Sequence, residues 1–286
     1  MKQEVQYKEN PWERQYYGEK GLPVIRFLEG VTRIGAYAFG ECREITEITM
    51  PKSLQMIEGH AFYNCRSLHT IRFLGAVPEI EDGAFKNCGN VKYVELFEAE
   101  EKDIRLKNFL PELEQELSVR LVFISKEEAR LCLPKTSYAF IANEPARMFS
   151  EESYGSGVYY RQCVGRSEID WSRYDELFLM ACREETIQTA LSIARKRLEF
   201  PYRLAERSKD RYLEYIYDHM PKILEEIARS EDWELLSFLC GQKLITKPQA
   251  EFGIAVANQK ERPYMAGRLL EYGRTAFAAA RGRIEL

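Results

Sequence analysis

The sequence predicts an α/β solenoid of 23-residue coils, each with one short strand, followed by an all-α domain built from helical hairpins. Three observations carry that expectation. The words "AFGEC" (Ala38 to Cys42), "AFYNC" (Ala61 to Cys65) and "AFKNC" (Ala84 to Cys88) recur at one fixed interval. The stretch after each word alternates apolar and polar residues, as a half-buried strand does. After Trp171 the apolar residues change to helical spacing and keep it to the end of the chain.

The repeat has seven columns in register. Ile34, Ile57 and Ile80 precede the motif; Ala38, Ala61 and Ala84, Phe39, Phe62 and Phe85, and Cys42, Cys65 and Cys88 form it. Ile45, Leu68 and Val91, then Ile48, Ile71 and Val94, then Met50, Phe73 and Leu96 follow it. A repeat of this length cannot bury its apolar side alone and must stack on copies of itself. In "EITEITM", Ile48 and Met50 alternate with Glu47 and Thr49, so one set faces the interior and the other faces out. The "AF" pair and the cysteine suit a tight helical turn that lays both side chains inward. A small, apolar, readily buried residue explains the cysteine column as packing. The competing reading, a metal or redox site, lacks a CxxC pair, and His60, His69 and His219 do not cluster with the cysteines in sequence.

Counting back from the strand columns reaches Leu22, Ile25 and Phe27, so the array is expected to open on a half repeat, with residues 1–21 as a cap or extension. Counting forward from Phe85 and Cys88 reaches Asn108 and Pro111, so the repeat is expected to have ended. "NFLPELEQELSVRLVFIS" then reads as a short helix and a strand that cap the last coil, which closes the solenoid region at residues 22–125.

The stretch "VTRIGAYAFGECREITEITMPKSLQMIEGHAFYNCRSLHTIRF" resembles the BspA-type leucine-rich repeat, over roughly residues 22–97. "IG" stands once, at Ile34 and Gly35, with Glu58 and Glu81 at the later glycine positions. The resemblance implies a leucine-rich-repeat solenoid used for protein binding, displayed in many relatives on bacterial or protist surfaces.

Residues 126–170 lose the periodicity and read as a connecting segment, either an irregular bridge or a chain docked on the last coil. "YGSGVYYRQ" lacks the lysine and helix start of a phosphate loop. From residue 171 to 286 the pattern is helical. Ile187, Ala190, Leu191, Ala194 and Leu198 share one face, and Pro201 ends that helix. "DRYLEYIYDHM" and "PKILEEIARSE" read as two helices, Asp232 caps "WELLSFLCG", and Thr246 and Pro248 open the next helix. "ERPYMAGRLLEYG" is expected to end on Gly273. Ala194, Ala228 and Ala257 recur at intervals of 34 and 29, and "FLCG" and "LLEYG" close two helix pairs. This is similar to degenerate ankyrin-type repeats, which implies a second interaction surface.

With 41 basic and 45 acidic residues mixed along the chain, a formal charge of −4 gives no electrostatic reason to expect nucleic acid or an anionic membrane as partner. "ARKR" at Ala194 to Arg197 is read as a solvated helix face. No apolar run serves as a signal-peptide core or reaches membrane-spanning length, and seven cysteines read as free thiols of a reducing compartment, so a cytoplasmic chain of bacterial type is expected. No cofactor, metal or catalytic residue is expected. The function expected is a non-catalytic interaction module or scaffold with an unidentified protein partner. Its candidate contact residues are the outward strand positions of the concave sheet: Val24, Glu47, Thr70 and Tyr93 in one stripe, Arg26, Thr49, Arg72 and Glu95 in a second. Thr46, His69 and Lys92 form a third. Two other readings stand beside it: an enzyme with a Cys163 thiol and His219 as its base, and a surface adhesin.

Overall fold

The structure, a computed structural model, describes residues 4–143 and 148–277, and the chain divides into two compact units, Met1–Ala205 and Glu206–Leu286. The first unit opens with ten strands in succession: β1 (Glu4–Tyr7), β2 (Val24–Phe27), β3 (Arg33–Ile34), β4 (Glu47–Met50), β5 (Met56–Ile57), β6 (Thr70–Phe73), β7 (Glu79–Ile80), β8 (Tyr93–Ala99), β9 (Leu117–Phe123) and β10 (Glu128–Leu133). One sheet runs β1-β2-β4-β6-β8-β9-β10, parallel until the antiparallel pair β9–β10; a narrow second sheet runs β3-β5-β7. This is the leucine-rich-repeat solenoid the sequence predicts.

Like side chains stack on like. Ile25, Ile48, Ile71, Val94 and Val119 are fully buried behind the main sheet. Phe39 stacks on Phe62 at 5.4 Å and Phe62 on Phe85 at 5.2 Å, with rings 8° and 12° from parallel. Each ladder cysteine donates its S–H to the carbonyl of the aromatic residue one coil earlier: Cys42 to Tyr16 at 2.9 Å, Cys65 to Phe39 at 3.2 Å and Cys88 to Phe62 at 3.2 Å. Each of these carbonyls also accepts the N–H three residues on, at 3.1 to 3.3 Å, so the thiol occupies its second lone pair without a large polar group. The two bends of each coil are left-handed, at Arg14, Tyr37, His60 and Gly83 and again at Gly18, Glu41, Asn64 and Asn87, with φ from 54° to 72°. The lone "IG" glycine has its own cause. A Cβ on Gly35 would lie 2.6 Å from the Trp12 backbone, whereas Glu58 and Glu81 use their carboxylates to accept the N–H groups of Ala36 and Gly59 in the preceding coil, each at 2.8 Å.

Both ends of the array reach further than the 23-residue count. The first coil is complete: β1 pairs with β2, Glu4 opposite Val24, and Tyr16 takes the phenylalanine place, stacked on Phe39 at 5.0 Å. Its N–H reaches Ala38 at 2.8 Å, as that of Phe39 reaches Ala61. The expected half repeat is therefore a whole coil, shortened by three places. At the far end Tyr93 pairs with Ser118, two places beyond the regular step, and Phe109 meets Phe85 edge-on at 4.9 Å. The repeat does not stop at Asn108; an insertion moves its aromatic residue by one place.

Residues 126–170 are more regular than expected. β10 extends the main sheet, β11 (Ser137–Asn143) and β12 (Met148–Tyr154) form an antiparallel hairpin, and α1 (Gly157–Gln162) follows. Tyr174, on α2 (Trp171–Glu176), closes the edge of β10: its hydroxyl accepts from the Cys132 N–H at 2.9 Å and donates to the Cys132 carbonyl at 2.7 Å. Arg161 donates to the carbonyls of Leu113 at 3.0 Å and Gln115 at 2.7 Å. α3 (Phe178–Glu184) and α4 (Ile187–Glu199) complete this cover, and Thr189 on α4 donates to Glu116 at 2.7 Å. The helices from 171 to 205 thus belong with the solenoid, and the boundary falls after Ala205 rather than at 170. Nor is "ARKR" wholly solvated. Arg197 is fully buried, held in a bidentate pair by Asp175 at 2.7 and 3.0 Å and lying over Trp171 at 5.1 Å. Periodicity cannot reveal the distant carboxylate that makes a buried cation tolerable.

The second unit contains α5 (Glu206–Ser230), α6 (Trp233–Gly241), α7 (Lys247–Gln259) and α8 (Pro263–Ala276). They form two stacked hairpins, α5 against α7 and α6 against α8. The two helices expected between 210 and 231 are one, which runs through Pro221. Proline gives no N–H to the carbonyl one turn earlier; here the Gln249 side chain donates to that Tyr217 carbonyl at 3.3 Å, while its own oxygen accepts from Thr246 N–H at 2.9 Å. Asp232 caps α6 through Leu235 N–H at 2.9 Å, as expected. Arg262 ties the ends of α5 and α7, reaching the Ala228 carbonyl at 2.9 Å through Nε and the Ala257 carbonyl at 2.8 Å through its N–H. Ala194 lies in the first unit, so the alanine run of 34 and 29 is not one array. α8 continues past Gly273 to Ala276.

Candidate protein-binding face

Strand register carries the outward positions into two rows across the main sheet. Glu4, Val24, Glu47, Thr70, Tyr93 and Ser118 are successive partners in one; Gln6, Arg26, Thr49, Arg72, Glu95, Arg120 and Arg130 are in the other. The two stripes read from the sequence are therefore physical rows. The third, Thr46, His69 and Lys92, lies where the chain leads into the strands, joined by N–H bonds from His69 to Thr46 and from Lys92 to His69, both 3.0 Å.

Side chains in these rows have different fates. Arg72 donates to Glu47 at 2.7 Å and to Glu95 at 2.6 Å. Arg120 binds Glu128 at 2.9 Å and lies 3.9 Å from Glu95, and Arg130 reaches Glu128 at 2.7 Å. Three arginines and three glutamates thus neutralise one another along the sheet. Burial lowers the Arg72 guanidinium pKa, but hydrogen bonds to Glu47 and Glu95 outweigh it and hold the value above the ordinary one. Burial likewise raises Glu128, and the bonds from Arg120 and Arg130 bring it below the usual carboxylate value. Thr49 is half-buried between Arg26 and Arg72 in the register.

Thr70 is buried, its hydroxyl 2.7 Å from His69 Nδ1, and cannot serve as a contact residue in this state. Tyr93, in contrast, is 50% exposed, with the His69 ring edge-on at 6.4 Å. Arg26 and Lys92 are exposed and form no ion pair among the described residues. The face is a neutral, mutually paired strip flanked by an open tyrosine and two free cations. Arg120, Glu128 and Arg130 escape the sequence reading because they sit beyond the lengthened coil and on the antiparallel strand, off the 23-residue ladder.

Cys163 is 1% exposed, its Sγ contacts the Tyr159 carbonyl at 3.5 Å, and burial pushes its pKa up to about 12, the reverse of what activates a thiol. His219, in the second unit, donates through Nδ1 to the Tyr215 carbonyl at 2.9 Å and stacks on that ring at 4.1 Å. Among the described residues no group of three or more His, Cys, Asp and Glu side chains is placed to hold a metal ion.

The coils and their outward rows define a leucine-rich-repeat solenoid. Residues 13–109 match the family described as BspA type Leucine rich repeat region (6 copies), so this part of the chain is a BspA-type leucine-rich repeat region. A crystal structure of a T. pallidum leucine-rich repeat protein is similar at 24% identity over 32% of this chain and 58% of that one, with a TM-score of 0.27. The match therefore spans somewhat more than half the length of that protein. None of the curated proteins matches the chain.

Proposed function

We propose that this chain is a non-catalytic scaffold that holds a protein partner on the open face of its main sheet. Leucine-rich-repeat domains in general mediate protein interactions. The observation that carries the reading is Tyr93, half exposed on an inner strand of the sheet, beside charges already spent on one another. An exposed tyrosine on a rigid strand supplies contact area at small entropic cost, and arginine and tyrosine tend to carry interface energy. The stacked hairpins of the second unit, ankyrin-like in this reading, supply a second surface. Cysteines that remain free thiols fit a reducing, cytoplasmic setting.

The test is affinity capture from a native bacterial lysate with the full chain and with the Tyr93→Ala, Arg26→Ala, Lys92→Ala triple variant. Proteins held by the first and released by the second, with unchanged melting of the variant, would support the face. Capture of the same proteins by both would remove it.

A further inference from the structure

The main sheet is closed at one edge and open at the other. At β10 the hydroxyl of Tyr174 holds both the N–H and the carbonyl of Cys132. β1, at the far edge, pairs with β2 alone among the described residues. Its Tyr7 carbonyl accepts the Leu28 N–H at 2.9 Å. Alternate residues of a strand turn their backbone groups to the same neighbour, so Val5 and Tyr7 bond to β2, and Gln6 directs its N–H and carbonyl away from it, over the free edge. An edge of this kind is a template for another strand. The side chains agree with the backbone: Val5 and Tyr7 are half-buried, whereas Ile25 and Phe27, their partners in the next coil, are buried.

We infer that β1 pairs antiparallel with β1 of a second copy of this chain, about a two-fold axis through Gln6. A two-fold contact must match a surface to itself, and this strand reads as its own complement. Gln6 meets Gln6, Val5 meets Tyr7, and exposed Glu4 meets exposed Lys8. Gln6, with its backbone groups open, falls at a hydrogen-bonded pair; Val5 and Tyr7 fall at the closer, non-bonded pairs, where a β-branched and an aromatic side chain attract. Glu4 Oε1 already accepts from the Gln6 side chain at 2.9 Å, which steadies the carboxylate in the outward row. Other registers lose this match. An axis through Val5 sets Glu4 against Gln6, and one through Tyr7 sets Val5 against Glu9, whereas Glu9 meets no charge when the axis passes through Gln6. A head-to-tail contact of β1 with β10 would give an open fibre, and Tyr174 occupies the Cys132 groups it needs.

The experiment measures the mass of the full chain by sedimentation velocity across a wide range of concentration. The chain should pass from single copies to dimers as concentration rises, and no further. Gln6→Pro should leave it monomeric, because proline lacks the central N–H yet is tolerated on an edge strand where that N–H faces solvent. An unchanged circular dichroism melt shows that this variant is folded; if its melt falls, the charge pair decides alone. Glu4→Lys and Lys8→Glu should each raise the dissociation constant about tenfold, since the axis counts every change twice, and the double variant should return it to that of the natural chain. A purely structural role for either residue predicts no such rescue. Single copies at every concentration, a larger assembly, dimers untouched by Gln6→Pro, or charge variants whose losses add in the double variant would each overturn the inference. Partner capture through Tyr93 is read separately, so a failed edge and a failed sheet face are told apart.

Discussion

Cys65 shows how a single residue type can recur for two physical reasons at once. It is fully buried among apolar side chains and gives its S–H to the Phe39 carbonyl at 3.2 Å. The neighbouring Cys88 and burial both drive its pKa well up, and burial drives Cys42 up to about 11 and Cys132 up to about 12. In the folded protein Cys42, Cys65, Cys88, Cys132 and Cys163 should resist a thiol reagent at pH 8, while half-buried Cys182 and Cys240 react first, faster by about tenfold per pH unit below their raised pKa of about 11. Mass spectrometry of alkylated peptides reads this out; early labelling of Cys65 would refute the dry ladder. The linkage has a definite sign. A thiol whose pKa is raised on folding contributes stability that is whole below the unfolded value of 9.0 and is lost as the pH climbs toward 11 or 12, so the fold should weaken in alkali. Arg197 makes a different demand, as a fully buried guanidinium held by one carboxylate. Asp175→Ala should cost about 3–5 kcal/mol by leaving that cation buried without its carboxylate, measured by urea unfolding.

Among the elements, β10 and α5 each depend on one side chain from elsewhere. β10 ends the sheet, and an uncovered strand edge invites pairing with another chain. Tyr174 occupies both backbone groups of Cys132, so Tyr174→Phe should destabilise the first unit by about 1–3 kcal/mol, because two buried polar groups lose their partner. Chemical denaturation measures it; a cost near zero would mean that the edge is satisfied otherwise. In α5, Gln249 answers the carbonyl freed by Pro221. Gln249→Ala should cost about 1 kcal/mol in the natural chain and distinctly less beside Pro221→Ala, where alanine restores the N–H. Equal costs in the double-mutant cycle would show that the amide does nothing for the helix. Neither device is legible in the sequence. Periodicity splits α5 at Pro221 because it has no means of pairing Tyr217 with the distant Gln249, whereas Asp232 and Thr246 are legible because a cap is local.

At the scale of the molecule, the ladders are legible in the sequence and their ends are not. Identical spacing makes Phe39, Phe62 and Phe85 and both outward rows visible in advance. Tyr16 stands one full repeat before Phe39, and Gly18 one full repeat before Glu41, so the first coil does leave a signal; its strand, displaced by three places, hides it. Phe109 and Arg120 are concealed in the same way by an insertion. The outward rows can be drawn from the sequence, but the internal pairing of Glu47, Arg72 and Glu95 and the burial of Thr70 require the register. The first coil also closes the stack: Tyr7 and Tyr16 lie over Phe39 at 5.3 and 5.0 Å and carry hydroxyls where inner coils carry none. Removing residues 1–20 should uncover Phe39 and Cys42 and shift the protein toward aggregate relative to the full chain, as size-exclusion chromatography would reveal; an unchanged elution profile would show that this coil is dispensable.

A shortened coil at one end and a lengthened coil at the other bracket a run of equal ones, and this inequality decides how such a molecule can lengthen. A unit copied between Met50 and Phe73 meets neighbours of its own pitch, and everything beyond it is carried along by one step unchanged. A unit appended outside either bracket meets a strand and an aromatic ring out of phase. Growth is therefore by duplication in the middle, with the two odd-length coils travelling outward as permanent ends.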